Sequence, residues 1–367
     1  MKNRKSVLIM SCGGTISGLR KDDNAVKASD GLLLIKERLS SRLSLKFINV
    51  LNALSEDMDH KHWITIAQSI KKEVLGNQYK AIIGLHSGTY TLAYMASALS
   101  FMLQNLPIPV LITGSVYTLH DKNSDVIKNL NMSLIAIKYM AKYPGVYVIF
   151  PKIKERVYDY FCGVNSTASD NKKNTAYCIY RGVNLRKIHS WNVRCFQSIN
   201  SPAFAEINKE KFIINDVSMK KNVPSLSRFS VKTKINPRVC FIKVFPSMKS
   251  QLLIDLSNHY RAFILEGYVD GTLSTSKACN FLKAVKVLLD KKIPVFVTSQ
   301  PAGRTTLSAY EGGVKLRLVG VIPLGNMTSE TAIVKLMWVL GMTRDFSEIN
   351  RLMLRNIVGE VSGMIPA

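Results

Sequence analysis

Residues 80–99 read KAIIGLHSGTYTLAYMASAL. The apolar run AIIGL stops at His86, Ser87 and Gly88, and a helix-length apolar run starts again at Leu92. A short β-type run, a glycine corner and a long apolar run, in that order, predict strand, turn and helix. The corner itself is rich in hydroxyls, with Thr89 and Thr91 on either side of Tyr90. Outward from it the alternation repeats. SVLIMSC, LKFINVL, PVLITGS and GVYVIF read as strands, and WITIAQSIKKEVLG reads as an amphipathic helix. The pattern resumes at RVCFIKV, RAFILEGYV and IPVFVTSQ, separated by SQLLIDLSNHY and SKACNFLKAVKVLLDKK. This predicts an α/β fold with parallel sheets wrapped by helices.

A chain of 367 residues exceeds one ordinary domain, so two α/β domains are expected. The boundaries are placed at 1–205 for a larger N-terminal domain and 237–367 for a smaller C-terminal one. Residues 206–236, basic and rich in Ser and Pro, are expected as a linker. An irregular stretch near 152–180 reads as a surface insertion. Two helices close the chain. Thr328 is placed to cap the first, with Glu330 in its first turn and Gly341 near its end. Asp345, three residues before Glu348, forms a capping-box pattern for the second.

Hydrophobic residues make up 47% of the chain, ample for a core. No apolar run reaches the ~18 residues of a membrane helix, so no membrane partner is expected. The opening MKNRKSVLIMSCGGTI has a basic head, but its apolar part breaks at Gly13 and Gly14, and it reads as a first strand rather than a signal peptide. Six cysteines form no CxxC pair, which suits reduced thiols and a cytoplasmic location. Fifty Lys and Arg against 25 Asp and Glu leave a net charge of +25. That field attracts polyanions, yet no dense basic tail or RNA-binding aromatic motif accompanies it. Solvated basic faces are therefore favoured over a nucleic-acid partner.

Ligands in open α/β sheets collect beyond the carboxyl ends of the strands. Three hydroxyl-rich corners fall there: SCGGTISG with Thr15, LSEDMD with Ser55 and Glu56, and HSGTYT with Gly88, Thr89 and Tyr90. None has the lysine or glycine spacing of a nucleotide loop. The six histidines supply no Ser-His-Asp set, and His60 and His62 read as a solvated helix start rather than a metal pair, so neither metal nor cofactor is expected. His86 reads as a packed or hydrogen-bonding residue. Lys187, after a strand-like run, is either a base that reaches the corner or a surface cation beside Arg186.

IMSCGGTISG, LSEDMDHKHW, GLHSGTYTLAYMASAL, ITGS with NSDVIKNL, RKIH with FQSINSP, ILEGYVDGTL, VFVTSQPAGRTT with YEGGV, and MTSETAIVKLMWVLG follow one another in order. Together they resemble the bacterial-type L-asparaginase family, most of all its cytosolic type I branch. The D subunit of the archaeal glutamyl-tRNA amidotransferase shares this core. The resemblance covers nearly the whole chain and implies the two-domain asparaginase-like fold. It implies that Thr15 attacks a side-chain amide, that Thr89 and Lys187 move protons, and that Ser55 holds a substrate carboxylate. Glu56, Gly88 and Tyr90 complete the candidate substrate-binding set. It also implies a homodimer or homotetramer, with each site completed by a neighbouring protomer.

The chain departs from the family pattern at several points. The family corner H-G-T-D-T here reads S-G-T-Y-T, so Tyr90 stands where an aspartate grips the substrate ammonium. The lid near residues 20–30 has no tyrosine, Thr272 replaces a common asparagine, and TGSVYT lacks an arginine. The expectation is an asparaginase-type amidohydrolase acting on L-asparagine or a related amide. Its rivals are an impaired homologue acting as a binding protein and a component of an RNA-dependent amidotransferase. Against the last, the chain starts at its first sheet strand.

Overall fold

The computed structural model describes residues 6–361 apart from 14–18, 21–25, 28–31, 40, 42, 77–78, 86–87, 154–174, 209–210 and 217–224. Contacts divide the chain into two compact units, one of residues 1–198 with 202–233 and one of residues 199–201 with 234–367.

The first unit is built on an eight-stranded sheet. Its strands are β1 (Ser6–Ser11), β2 (Leu45–Asn49), β3 (Tyr79–Leu85), β4 (Pro109–Thr113), β5 (Gly145–Pro151) and β6 (Tyr177–Arg181), joined by β9 (Ala205–Asn208) and β10 (Lys211–Ile214). A hairpin of β7 (Leu185–Lys187) and β8 (Phe196–Ser198) stands apart. The spatial order is β10-β9-β6-β5-β4-β3-β1-β2. From β2 to β5 all neighbours run parallel, and from β5 to β10 all are antiparallel. Strand β1 is buried at every position, as a central parallel strand covered on both faces must be.

Four helices of this unit are α1 (Leu32–Arg38), α2 (His60–Leu75), α3 (Leu92–Met102) and α4 (Val126–Met140). The first turn of α2 carries a full capping box. Asp59 Oδ1 accepts from the Lys61 and His62 N–H groups, and the Asp59 N–H donates to His62 Nδ1. That is the use the structure makes of the His60–His62 segment. Helix α3 is buried along its length, which its unbroken apolar sequence requires.

Two sequence expectations change here. Residues 205–214, placed largely in the linker, form the β9–β10 hairpin at the sheet edge. Their apolar residues Ala205 and Ile207 are buried, so this segment is part of the core. Tyr177–Arg181, placed in or just after the insertion, is strand β6 in the same sheet. The bulk of the insertion lies outside the described residues.

The second unit carries a parallel four-stranded sheet in the order β11 (Val239–Lys243), β12 (Ala262–Gly267), β13 (Val295–Ser299) and β14 (Ile322–Pro323). Around it pack α5 (Gln251–Leu256), α6 (Phe281–Asp290), α7 (Glu311–Leu318), α8 (Ser329–Met342) and α9 (Phe346–Leu354). Thr328 caps α8 by accepting from the Thr331 N–H, and Asp345 caps α9 by accepting from the Glu348 N–H. The reciprocal half of the second box is not made, because Glu348 forms a two-point ion pair with Arg351. Gly341 lies near the end of α8, as expected. A Cβ there would sit 2.4 Å from the Lys234 carbonyl oxygen, so the glycine admits a crossing strand of backbone.

Candidate active site

Strand order decides where chemistry can gather in the first unit. The sequence β2-β1-β3-β4-β5 reverses direction between β1 and β3, and such a switch point opens a crevice beyond the carboxyl ends of the strands. Register makes this concrete. Ser11 at the end of β1 lies opposite Asn49 of β2 and Leu85 of β3. The chain therefore leaves the carboxyl ends of β1, β2 and β3 side by side.

The chain reaches this edge closely packed. Gly13 has φ +84°, and a Cβ on it would lie 2.5 Å from the Ala53 nitrogen. Only glycine lets the first corner turn against the second. Cys12, just before it, is wholly buried, and burial pushes its thiol up to about 12, so it is a neutral packing group. Thr15 lies outside the described residues, as do His86 and most of the lid near 20–30.

Ser55 opens a 3-10 turn and is buried, while Glu56 beside it is exposed. The Thr91 hydroxyl donates to the Ser55 carbonyl oxygen at 2.7 Å, and the Thr91 N–H donates to Ser55 Oγ at 3.1 Å. With the Thr91 proton committed, Ser55 is the donor in the remaining hydroxyl contact, at 3.2 Å. That bond is longer than a good O–H···O bond. The Ser55 hydroxyl is thus held in place yet weakly bonded, ready for a stronger acceptor such as a carboxylate. Thr91 was not among the candidate site residues; its place in HSGTYT was the signal that could have found it.

Thr89 is buried, and Lys187 Nζ donates to its Oγ1 at 2.6 Å. Lys187 ends β7, pairs with Phe196 of β8, and is followed by a bond from the Ile188 N–H to the Cys195 carbonyl. The hairpin thereby delivers a lysine to a threonine 98 positions earlier. Lys187 thus reaches the HSGTYT corner through Thr89. Gly88, buried at φ +82°, precedes this threonine.

Burial holds the Lys187 ammonium below its ordinary value. The Cys195 thiolate would oppose this, but burial pushes Cys195 itself up to about 12. At neutral pH that thiol carries no charge, and desolvation is the largest effect on the lysine. The Tyr90 ring lies 4.5 Å from Lys187 Nζ and is 54% exposed. A ring face steadies an ammonium without neutralising it. Together, Thr89 and Lys187 are a buried hydroxyl and an amine of lowered basicity in direct contact, which can pass a proton.

A second, deeper network supports the neighbouring loop. Asp125 accepts from the Val116 and Tyr117 N–H groups, and Asn129 Nδ2 donates to Asp125 and to the Gly114 carbonyl. Tyr177 donates to Asn129 Oδ1. Burial raises the Asp125 carboxyl to about 6 despite these donors. Thr272, singled out as a departure, lies in the second unit, where its buried hydroxyl has no hydrogen-bond partner among the described residues. Among the described residues no group of His, Cys, Asp and Glu is arranged to hold a metal ion.

Residues 6–219 match the model of the asparaginase N-terminal domain, and residues 238–353 match that of the glutaminase/asparaginase C-terminal domain. The chain belongs to the asparaginase family of amidohydrolases. It is 31% identical to an L-asparaginase of Thermococcus kodakarensis, over 97% of this chain and 99% of that one. It is 32% identical to the D subunit of the glutamyl-tRNA(Gln) amidotransferase of Pyrococcus furiosus, over 98% of this chain and 78% of that one. The solved structure of the thermostable Thermococcus kodakarensis L-asparaginase superposes with a TM-score of 0.82, covering 98% and 99% of the two chains. L-asparaginase I of Vibrio cholerae superposes with a TM-score of 0.78 at 25% identity, with the same coverage. As a member of the asparaginase family, the chain has the expected two-domain architecture, with the larger, parallel-rich sheet in its N-terminal part.

Proposed function

We propose that this asparaginase-family chain hydrolyses a side-chain amide to a carboxylate and ammonia through a threonine nucleophile. The observation that carries the reading is the 2.6 Å contact between Lys187 Nζ and Thr89 Oγ1 at the sheet's switch point. In this mechanism Thr15 supplies the hydroxyl that attacks the amide carbon, and its proton passes through Thr89 to the neutral Lys187 amine. Collapse of the tetrahedral adduct breaks the C–N bond, and the proton held by the lysine leaves with ammonia. Water then attacks the threonine ester, losing its proton to the same relay; the acyl C–O bond breaks, the relay returns that proton to Thr15, and the carboxylate is released. Ser55 turns its weakly held hydroxyl to a substrate carboxylate, with Glu56 and Gly88 shaping the surrounding pocket.

Tyr90 redirects the substrate. It places a phenol where the family corner has a carboxylate, and its ring is already engaged by Lys187. An amide whose α-nitrogen is acylated or in a peptide fits this corner better than free asparagine with its ammonium. We place the enzyme in the cytoplasm as a homodimer or homotetramer. The five described cysteines are free thiols, and among the described residues no helix is long and apolar enough to cross a membrane.

Ammonia release tests the reading, with L-asparagine, L-glutamine and N-acetyl-asparagine as substrates. Release from at least one, lost in Lys187→Met, is expected. A folded wild-type protein inactive on all three and on asparagine-containing peptides would overturn it. The similarity to amidotransferase D subunits favours a second reading, in which ammonia is passed to a partner for use on an aminoacyl-RNA. Ammonia release that appears only with an added RNA-binding partner would select that reading.

A further inference from the structure

The second unit holds a recess of about 270 Å³ whose lining includes Arg238, Arg261, Lys291, Lys292 and Arg344. No acidic residue among the described residues lines it. Its position follows from the parallel sheet. Arg238 directly precedes β11, Arg261 precedes β12, and Lys291 and Lys292 lie in the turn before β13. Arg344 comes from the turn between α8 and α9. The recess thus sits at the amino edge of the sheet, remote from the carboxyl edge where α/β ligand sites usually form.

Ordinary helix-end charge compensation explains only part of this cluster. Lys291 and Lys292 follow the carboxyl end of α6 and Arg344 follows that of α8, where cations are favoured. Arg261 lies in the turn that follows α5 and leads into β12, whereas Arg238 follows no α-helix and leads into β11. Three of the five heads are also held in place. Arg238 donates from Nε to the His259 carbonyl at 2.9 Å and from Nη2 to the Asn258 carbonyl at 3.3 Å. Lys291 Nζ donates to Ser257 Oγ at 3.0 Å, and Lys292 Nζ lies 5.9 Å from the Phe346 ring centre. None of the five is in an ion pair with a carboxylate among the described residues. Pro294, Leu340 and Ile349 add an apolar floor that sharpens the field above it.

We infer that this recess binds a compact polyphosphate group, free or carried by a nucleotide. Arginine forks match phosphate oxygens two at a time, and three arginines with two lysines suit several linked phosphates better than one carboxylate. The volume lies just under the lower end of small-ligand pockets, which suits a di- or triphosphate and excludes a large cofactor buried whole.

The test must separate a built site from the attraction of a chain with net charge +25. A second basic recess in the same unit, lined by Lys249, Lys277 and Lys283 without arginine, provides the control. Calorimetric titration of the full chain with inorganic tripolyphosphate at 0.15 M salt should give one saturable site per chain. Arg261→Gln with Arg344→Gln should raise Kd at least tenfold, and Arg344→Gln alone, at an exposed position, should raise it severalfold. Lys277→Gln with Lys283→Gln should leave it within twofold. ATP that binds with the same loss in the arginine variants supports a nucleotide source, and tripolyphosphate alone a free one. Absence of saturable binding, or equal weakening in both pairs of variants, would overturn the inference. So would a single-stranded RNA that binds more tightly and is indifferent to the arginine changes.

Discussion

At Lys187 two effects compete, and burial wins. An exposed lysine would be wholly protonated at neutral pH and useless as a base, whereas removal from water disfavours the ammonium. Substitution by Met should lower kcat/KM by roughly 10²–10⁴-fold, the span of general acid–base catalysis, and Thr89→Val should do the same with little change in KM. The neutral amine is the active form, so kcat/KM should rise with pH through a midpoint below the ordinary lysine value. A wild-type profile flat throughout that range would contradict the assignment. Tyr90→Asp should raise activity on free asparagine about ten- to a hundredfold, since a charge-assisted bond contributes ~1.5–3 kcal/mol. The same carboxylate, beside Lys187, should move the alkaline midpoint upward and lower activity on acylated amides. Wild-type kcat/KM on free asparagine of ~10⁴ M⁻¹s⁻¹ or more, an ordinary enzyme efficiency, would show that Tyr90 excludes nothing.

Among elements, the loop that leaves β4 for α4 depends on one buried acid. Asp125 holds the Val116 and Tyr117 N–H groups, but its carboxyl titrates at about 6 in the folded chain, above the ~3.9 of an unfolded aspartate. A raised folded value means that the group favours folding while protonated, and that this contribution is lost as pH rises through about 6. Two units correspond to about 3 kcal/mol. In Asp125→Asn that pH dependence is absent. The variant's unfolding free energy relative to wild type should therefore improve by up to ~3 kcal/mol between about pH 4 and pH 7, whatever its offset. Urea unfolding at both pH values measures this. A difference independent of pH would mean that the donors around Asp125 cancel its burial.

For the molecule as a whole, a fully buried ion pair fastens the end of the described chain. Lys335 of α8 and Glu360 are both fully buried and 2.6 Å apart. Lys335 Nζ also donates to the Met353 and Arg355 carbonyls, while Glu360 accepts from the Ile357 and Val358 N–H groups. Lys335→Met strands a buried carboxylate and should cost about 3–5 kcal/mol. Adding Glu360→Gln should recover part of that loss in thermal or urea unfolding, and no recovery would show that Lys335 acts through the carbonyls alone. Assembly is tested by light scattering. A mass at least twice 41.0 kDa at micromolar concentration is expected, and a monomer alone would count against a shared site.

Local pattern carried a good deal. The alternation of short apolar runs with helix-length runs announced two α/β parts, because strand and helix periods are written in neighbouring residues. Caps such as Thr328 and Asp345 were legible for the same reason, since a cap bonds within its own first turn. Glycine at position 13 could be read as a tight turn, but the backbone it admits, near Ala53, could not. The edge hairpin at 205–214 was hidden in a basic, Ser- and Pro-rich surrounding and took its identity from pairing with β6. Its place after a strand-like run left Lys187 open between a base and a surface cation, and the resemblance favoured the base. Only the fold brings it 2.6 Å from Thr89, and only the fold locks Ser55 to Thr91. The order β2-β1-β3 was likewise beyond local reading, because sheet register is a set of bonds between segments far apart in the chain. Sequence determines which residues can do chemistry at each corner, and tertiary packing decides which corners meet, because periodicity acts over one turn whereas proximity is settled by burial of the whole core.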